Sequence, residues 1–285
     1  MDSYLFTGLC ILSFPVLSDA LAVYGFQGAS SAILTGRTLH YSVHLNDCEL
    51  LGGPRAGAEF EETFGGHITI WRSFNDRDIS DEPFLVFFDQ RMLFDEAGKL
   101  AQLVREVEVW GNDTGIVRSV TYSTDYSKVI SETSHKCSLS SANKSGNIDF
   151  QASEGTPDRL NSFEDVLSAL ESGRYVHFQA MTFICRGGRE HSFSNFGGHI
   201  PNYEMKMEGG AVHGVRSSVQ QTVHYVPKID RHVRDVINLR IFDNRTVEII
   251  DVRGGALYED LVHEHISYCT LETGMPGGTF NAFAS

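Results

Sequence analysis

The pentapeptide Phe-Gly-Gly-His-Ile occurs twice in this chain of 285 residues, at residues 64–68 and again at residues 196–200. Working outward from these two stretches, further matches keep the same order and nearly the same spacing. A repeat of about 110 residues has the size of a domain, so the sequence predicts two tandem copies of one small domain. The matching blocks are Gly36-Arg37-Thr38-Leu39-His40-Tyr41 with Gly173-Arg174-Tyr175-Val176-His177-Phe178, Asn112-Asp113-Thr114 with Asn244-Arg245-Thr246, and Cys137-Ser138-Leu139 with Cys269-Thr270-Leu271.

Each copy is predicted to begin with a helix. In the second copy Ser162 is a suitable N-cap, apolar residues follow at helical spacing, and Gly173 stands where the helix should stop. The first copy keeps only a shorter version of this pattern, from Ser30 to Gly36. The two Gly-Gly pairs are expected to form tight turns, because glycine adopts turn conformations easily.

Strands are predicted after the helix, because Leu39, Tyr41, Val43 and Leu45 alternate with polar residues. The fold class is therefore α+β, mainly antiparallel β, with two copies that each contain an N-terminal helix and a sheet closed by a disulfide. Further strands are predicted at residues 68–71, 85–88, 104–110 and 116–122.

The cysteines support this division of the chain. Cys48, Cys137, Cys185 and Cys269 allow three pairings, and the repeat selects Cys48–Cys137 and Cys185–Cys269. The predicted domains are a first copy at residues 23–139, a polar linker at 140–161, and a second copy at 162–285 with a short C-terminal tail.

The first 22 residues are predicted to be a signal peptide. A short apolar run from Leu5 to Val16 ends in Ala20-Leu21-Ala22, a small-x-small cleavage pattern. The alternative is a buried N-terminal helix, because the run is preceded by Asp2 and by no basic residue. No later stretch is long and apolar enough to span a bilayer. The chain is therefore expected to be secreted to the extracellular space.

The net charge of the chain limits the classes of partner that it is expected to bind. The formal net charge is −14, and loss of residues 1–22 would leave −12. An acidic surface disfavours nucleic acid and anionic lipid, and it leaves weak Ca²⁺ binding and an extracellular protein or matrix partner as options. Asp76, Asp78 and Ser80 resemble the start of an EF-hand loop, but the required Gly and Glu are missing, which favours a solvated acidic loop.

The order of motifs resembles the VirK family, first named from bacterial virulence plasmids. The resemblance covers about residues 30–139 and 163–271, and it is carried by Cys48 and Cys185, the Gly-Gly pairs, and Cys137 and Cys269. It implies export and a fold and names no reaction, because no catalytic residue of the family could be carried over. A role in host interaction or defence is suggested by the family's name alone.

Candidate site residues are of three kinds. Asn112, Asn143 and Asn244 begin Asn-x-Ser/Thr sequons and are predicted glycosylation sites. His263 and His265, about 6.6 Å apart on a strand, could bind a metal only with other ligands. No metal, cofactor or catalytic residue is assigned. The ligand candidates are histidines of the second copy, namely His213, His224, His263 and His265.

These features favour a secreted acidic glycoprotein that acts without catalysis, as a component of the extracellular matrix or as a binding module. The alternative is an enzyme or a small-ligand-binding protein with a site in a cleft within or between the copies. The sequence contains no nucleophile elbow, phosphate loop or His-Glu-x-x-His motif that would favour the enzyme.

Overall fold

A computed structural model describes residues 21–53, 63–74, 82–95, 97–187, 195–226, 231–255, 261–272 and 279–285, with the backbone alone at 220–226, 231–232 and 261–263. We call residues 21–153 the first half and residues 158–285 the second half. The predicted signal peptide lies outside the described residues except for Leu21 and Ala22, and the acidic loop at 76–81 lies wholly outside them.

The described chain is mainly antiparallel β-structure, as predicted, with two α-helices. The helices are α1 (Gly25–Leu34) and α2 (Phe163–Glu171). The strands of the first half are β1 (Leu21–Val23), β2 (Leu39–His44), β3 (Glu49–Gly52), β4 (Thr63–His67), β5 (Ile70–Phe74), β6 (Phe84–Phe94), β7 (Leu100–Trp110), β8 (Thr114–Ser123), β9 (Val129–Ser138) and β10 (Ile148–Ala152). Those of the second half are β11 (Asp158–Leu160), β12 (Val176–Ala180), β13 (Asn195–His199), β14 (Glu204–Glu208), β15 (Ala211–Val226), β16 (Arg231–Phe242), β17 (Thr246–Gly255), β18 (Leu261–Thr270) and β19 (Phe280–Ala284).

The strands form three sheets. Their orders are β1-β10-β2-β4, then β11-β19-β12-β13-β5-β6-β7-β8-β9-β3, and finally β14-β15-β16-β17-β18. Corresponding strands pair in the same order in the two halves, since β1-β10-β2-β4 matches β11-β19-β12-β13. The parallel bridges Leu139↔Ile148 and Leu271↔Phe280 also occur at matching positions.

The two helices begin in different ways. Ser162 caps α2 as predicted, because its hydroxyl accepts a hydrogen bond from the Asp165 amide at 3.0 Å. Helix α1 begins at Gly25, earlier than the predicted Ser30, and lacks a side-chain cap at its own N-terminus. The carboxylate of Asp113 replaces that cap, because it accepts a hydrogen bond from the Phe26 amide at 2.7 Å. A distant hairpin turn supplies this cap, so no local sequence pattern indicates it.

Two disulfides close the halves, with the predicted pairing. Cys48 is bonded to Cys137, and Cys185 is bonded to Cys269. Each bridge joins the chain just after a short 3-10 helix to the last strand of a five-stranded antiparallel run, β5 to β9 or β14 to β18. The two loops span 89 and 84 residues, so both remove a similar amount of chain entropy from the unfolded state.

Strand β5 belongs to two environments. It pairs with β6 of the first half on one side and with β13 of the second half on the other. Trp71 packs in the hydrophobic core of the first half, and Ile70 packs in that of the second half. The predicted arrangement of one sheet per copy therefore differs from the structure, because this strand joins the halves into one ten-stranded sheet.

The segment 140–161, predicted to be a flexible linker, contains two strands. Strand β10 pairs with β2 and β1, and β11 pairs with β19. The reason is visible in β10, where Ile148, Phe150 and Ala152 alternate with polar residues and are buried.

Candidate functional site

The two Phe-Gly-Gly-His sequences form β4 and β13, so the predicted tight turns are wrong. In each strand the phenylalanine is buried, Phe64 in the core of the first half and Phe196 in that of the second. The glycines lie within the strands, where the missing side chains allow neighbouring chain segments to approach closely.

Strand β13 pairs with β5 along its outer edge. Gly197 lies opposite Trp71, and Gly198 lies opposite Ile70. A Cβ atom on Gly197 would lie 2.5 Å from Cζ2 of Trp71, and one on Gly198 would lie 2.5 Å from Cδ1 of Ile70. Both glycines are buried, and both are needed for β5 to lie against this strand.

Strand β4 has the same sequence, but its outer edge pairs with no strand of the described ranges. It pairs with β2, and none of the other described strands pairs with it. Gly65 approaches β2 closely, because a Cβ there would clash with the carbonyl oxygen of Tyr41. Gly66 does not, since the nearest atom to its Cβ position would be Cε1 of Tyr41 at 3.9 Å. Gly65, Gly66 and His67 are all exposed, in contrast to the buried glycines of β13.

Four histidines form a row where these strands meet. His40 lies opposite His67 on β2 and β4, and His177 lies opposite His199 on β12 and β13. The rings of His67 and His199 have centroids 6.1 Å apart, and the same distance separates His40 from His67. The row therefore crosses from the first half to the second.

The buried end of this histidine row is electrostatically distinct. Burial lowers the pKa of His177 to about 4, with further contributions from the nearby His199 and His67. Nε2 of His177 lies 3.2 Å from the hydroxyl oxygen of Thr38 and 3.4 Å from that of Ser285. Burial also lowers the pKa of His199, against the effect of a hydrogen bond to the Thr69 carbonyl. Both side chains are therefore neutral at physiological pH.

A small pocket lies beside the row. Its empty volume is about 290 Å³, part of which is open solvent. Side chains of both halves line it, together with the backbone at two glycines. The lining residues are Ile33, Gly36, Arg37, Leu39, Ile68, Trp71, His177, Phe178 and Gly198.

An ion-pair network holds β5 in the second half. The carboxylate of Asp235 is fully buried, and Nη2 of Arg72 lies 3.4 Å from it. Arg253 donates to both oxygens of Asp235, at 2.6 and 3.0 Å. This hydrogen bonding raises the pKa of Arg253. Because Arg72 is on β5 and Asp235 is on β16, the pair joins the two halves.

The corresponding region of the first half contains a buried cation. The guanidinium of Arg105 lies over the ring of Phe64, 4.0 Å from its centroid. Asp89 is 3.6 Å from Nη1 of Arg105, and it also lies 4.0 Å from Nε of Arg91. Asp89 therefore lies close to two arginines beside β4.

Two carboxylates also lie on the other face of β7. Burial and the neighbouring Glu108 raise the pKa of Glu106 to about 7, while Arg118 opposes the shift. Arg118 lies 3.1 Å from Glu106 and 3.6 Å from Glu108. A carboxyl group whose pKa is raised in this way can serve acid–base chemistry, and structural ion pairs produce the same shift.

The predicted glycosylation sites are all on turns. Asn112 and Asn244 are exposed at the β7–β8 and β16–β17 hairpins, and each accepts a hydrogen bond from the amide two residues later, at 3.1 and 3.0 Å. Asn143 is exposed in the turn between Ser141 and Lys144.

The ligand candidates lie apart along the five-stranded sheet. His213 pairs with Asp243 at 2.5 Å near one end of β15, whereas His224 lies opposite Val233 near the other end, roughly 35 Å away. His263 and His265 lie on β18 opposite Arg253 and Asp251. In the described chain no three His, Cys, Asp or Glu side chains are placed to hold a metal ion.

The sequence analysis did not identify the buried charged residues Arg105 and Asp235. A signal was available, because Arg105 falls among Leu103 and Val107 on the apolar face of β7. Asp235 likewise falls between Val233 and Ile237 on the buried face of β16. A charge at an apolar position of an alternating strand indicates a buried ionic partner.

Comparisons with known proteins give one weak structural neighbour. No protein-family model matches the chain, and no curated protein does. The crystal structure of a VirK family protein from Legionella pneumophila is similar with a TM-score of 0.37 and 14% identity, covering 44% of this chain and 98% of that one. None of the helices in the described ranges is long and apolar enough to cross a membrane.

Proposed function

We propose that this chain is a secreted acidic glycoprotein, made of two copies of one disulfide-closed domain, that acts without catalysis as a binding module or a component of the extracellular matrix. The observation that carries the proposal is the use of β13. This strand binds an extended segment, β5, from the other half, while its counterpart β4 is exposed. A sheet edge that accepts a foreign strand is a known mode of protein recognition.

Duplication is supported by matched backbone hydrogen bonds. The Leu139 amide donates to the Asp113 carbonyl, and the Leu271 amide donates to the Arg245 carbonyl, each at 2.9 Å. Asp113 and Arg245 both have positive φ, 61° and 70°, at the same hairpin position. Side chains at these sites differ while the backbone pattern repeats, which is expected of two copies of one domain.

Export is supported by the two disulfides, which persist in oxidising compartments. The three exposed sequons are consistent with glycosylation there. Cleavage after Ala22 would remove two of the three residues of β1, whereas cleavage after Ala20 would keep the whole strand. N-terminal sequencing of the secreted protein separates these two sites.

Secretion is tested by expressing the full chain in a eukaryotic culture that secretes protein. We expect the protein in the medium, shortened at its N-terminus, with a mass that falls on deglycosylation. A triple variant, Asn112→Gln with Asn143→Gln and Asn244→Gln, is the matched control and should show no such fall. Full-length protein retained in the cells would contradict export.

Binding is tested on protein from its own source. A matrix protein should stay in the insoluble fraction after mild extraction, and a soluble binding module should cross-link to one partner. A chain that is fully extracted and forms no cross-linked complex would contradict both roles. Turnover that survives repurification and depends on one side chain would overturn the non-enzymatic assignment.

The second candidate is a small-ligand protein or enzyme with its site between the halves. The pocket beside His177 supports it, because residues of both halves line the pocket and burial lowers the pKa of His177, which is among them. Native mass spectrometry would show a retained small molecule, and His177→Ala should release it. Equal retention by the variant would exclude this pocket.

A further inference from the structure

We propose that His67 and His199 together bind one divalent transition-metal ion, Cu²⁺ or Zn²⁺, at the junction between the two halves. Solvent supplies the remaining ligands of the ion. The site does not depend on the function proposed above, since it needs only this chain and the metal.

The two side chains come from different halves and lie close together. His67 ends β4 and His199 ends β13, and their ring centroids are 6.1 Å apart. Two imidazoles on one tetrahedral ion, with metal–nitrogen bonds of about 2.0 Å, have centroids roughly 5 Å apart. The observed pair is therefore wider by roughly 1 Å, a difference that a rotation of the exposed His67 side chain can remove.

The hydrogen bonding of His199 suits this side chain to metal binding. Its Nδ1 lies 3.3 Å from the carbonyl oxygen of Thr69, and because a carbonyl can only accept, Nδ1 carries the proton. The lone pair is then on Nε2, which is the atom that coordinates the ion. Metal-binding histidines usually donate their other ring nitrogen to a carbonyl or carboxylate in this way. Burial also lowers the pKa of His199, which keeps the ring in the neutral form that binds metals.

His67 is the accessible member of the pair. It is exposed, and in the described ranges its ring nitrogens form no hydrogen bond to another residue. His40 is also exposed, with its ring centroid 6.1 Å from that of His67, so it is the competing ligand within the first half. His177 is less suitable, because its Nε2 already lies 3.2 Å from the hydroxyl oxygen of Thr38 and 3.4 Å from that of Ser285.

Imidazole ligands determine the class of metal. They suit Cu²⁺ and Zn²⁺, whereas Ca²⁺ takes oxygen ligands. Among the described residues no three His, Cys, Asp or Glu side chains are placed to hold an ion, so the site has two protein ligands. For a given set of nitrogen ligands Cu²⁺ binds more tightly than Zn²⁺. We therefore expect this pair to bind Cu²⁺ more tightly than Zn²⁺ and not to bind Ca²⁺.

Isothermal titration calorimetry of the full, disulfide-bonded chain with copper(II) chloride at pH 7.5 tests the site. We expect one equivalent of Cu²⁺ whose binding is weakened at least about tenfold by His67→Gln and by His199→Gln. His40→Gln is the matched control and should change the affinity less than about twofold. At pH 5.5 binding should be at least about tenfold weaker, because a protonated imidazole cannot bind a metal. Electron paramagnetic resonance should show two nitrogen ligands in the wild type and one in His67→Gln.

Three results would overturn the proposal. The first is no binding at millimolar Cu²⁺. The second is a loss of binding in His40→Gln but not in His199→Gln, which would assign the ion to the first half alone. The third is a loss in a variant that carries His263→Gln with His265→Gln, which would assign the ion to β18. If His199→Gln fails to fold in thermal denaturation, the exposed His67→Gln decides, and unchanged Cu²⁺ binding by that variant contradicts the site.

Discussion

Strands β4 and β13 share the sequence Phe-Gly-Gly-His and differ in what lies against them. In β13 both glycines are buried under β5, whereas in β4 both are exposed. Each strand also pairs in the same way on its inner side, with β2 or with β12. The inner pairing therefore recurs with the repeated sequence, while the outer pairing differs between the halves.

The halves also differ in the charge near these strands. The second half has Asp235 on the buried face of β16, and the matching residue of β7 is Leu103. The first half has Arg105 on that face, and its match is Ile237. Each half thus contains one buried charge at a position where the other has an apolar residue. The interface between the halves uses one of these charges.

The largest expected effect comes from breaking the ion pair that holds β5 on β13. We expect Asp235→Ala to lower the free energy of unfolding by about 3 to 5 kcal/mol, because two arginines would lose their shared carboxylate and Arg72 would stay buried. Urea denaturation followed by fluorescence measures this change. A loss below about 1 kcal/mol would show that the network contributes little to the joint.

A variant that replaces Asp235 and both of its arginine partners provides the control for this prediction. Asp235→Leu, which copies Leu103 of the first half, combined with Arg72→Met and Arg253→Met, should cost less than Asp235→Ala alone. Apolar replacements of a complete buried ion pair are often neutral or stabilising. If the triple variant is less stable than Asp235→Ala, the three charged side chains stabilise the contact between the halves more than apolar side chains do.

The glycines give the next largest effect and the most direct comparison. Gly198→Val should destabilise the protein by about 2 to 3 kcal/mol, because the new side chain would collide with Ile70 and Thr69. Gly66→Val should change stability by less than about 0.5 kcal/mol, since its Cβ position is open. Thermal denaturation of both variants measures the difference. Equal effects would mean that β4 is covered in solution.

Much of the fold could be predicted because its signals are local. The cap at Ser162, the alternation in β2 and the disulfide pairing all follow from short patterns and from the repeat, and the structure confirms them. Strand β10 carried the same alternation but was hidden by the polar residues around it. Local periodicity therefore identified several elements but missed β10, because the polar composition around this strand indicated a linker.

The junction between the halves could not be predicted, because it depends on contacts distant in sequence. Pairing of β5 with β13 joins residues more than 120 positions apart, such as Ser73 and Asn195. The histidine row has the same origin, since His67 and His199 meet only through this pairing. The repeat identified these residues in the sequence, but the neighbouring Gly-Gly pairs were predicted to form turns. In the structure they lie within strands β4 and β13.

A smaller effect is expected from pH at the buried end of the histidine row. The pKa of His177 is about 4 in the folded protein, below the value of about 6.5 in an unfolded chain. As pH falls through 6.5 the unfolded state takes up a proton first, so stability present above pH 6.5 is lost progressively down to pH 4. Because His177 is partly solvated, we expect a loss of about 1 to 2 kcal/mol, measured by urea denaturation at several pH values.

His177→Gln isolates this contribution, because glutamine does not titrate. The variant should lose less stability than the wild type between pH 6.5 and 4. His40→Gln is the matched control, because His40 is the counterpart of His177 in the repeat and its side chain is exposed on β2. A wild-type profile in the His177→Gln variant, or an equal change in the His40→Gln variant, would contradict the role of burial.

The smallest effect concerns Glu106, whose counterpart in the second half is Asn238. The pKa of Glu106 is about 7 in the folded protein, above its unfolded value, because burial and Glu108 disfavour the charge. Its stabilising contribution is complete below about pH 4.5 and is lost as pH rises through 7. Glu106→Gln, which resembles the neutral amide of the second half, should therefore stabilise the protein at pH 8 by about 1 kcal/mol and change little at pH 4.5.

Arg118→Gln should act in the opposite direction at pH 8, because it removes the cation that opposes the shift. If Glu106→Gln is less stable than the wild type at pH 8, the ion pair between Glu106 and Arg118 outweighs the repulsion between Glu106 and Glu108. The carboxylate at this position would then not destabilise the first half relative to the neutral Asn238 of the second half.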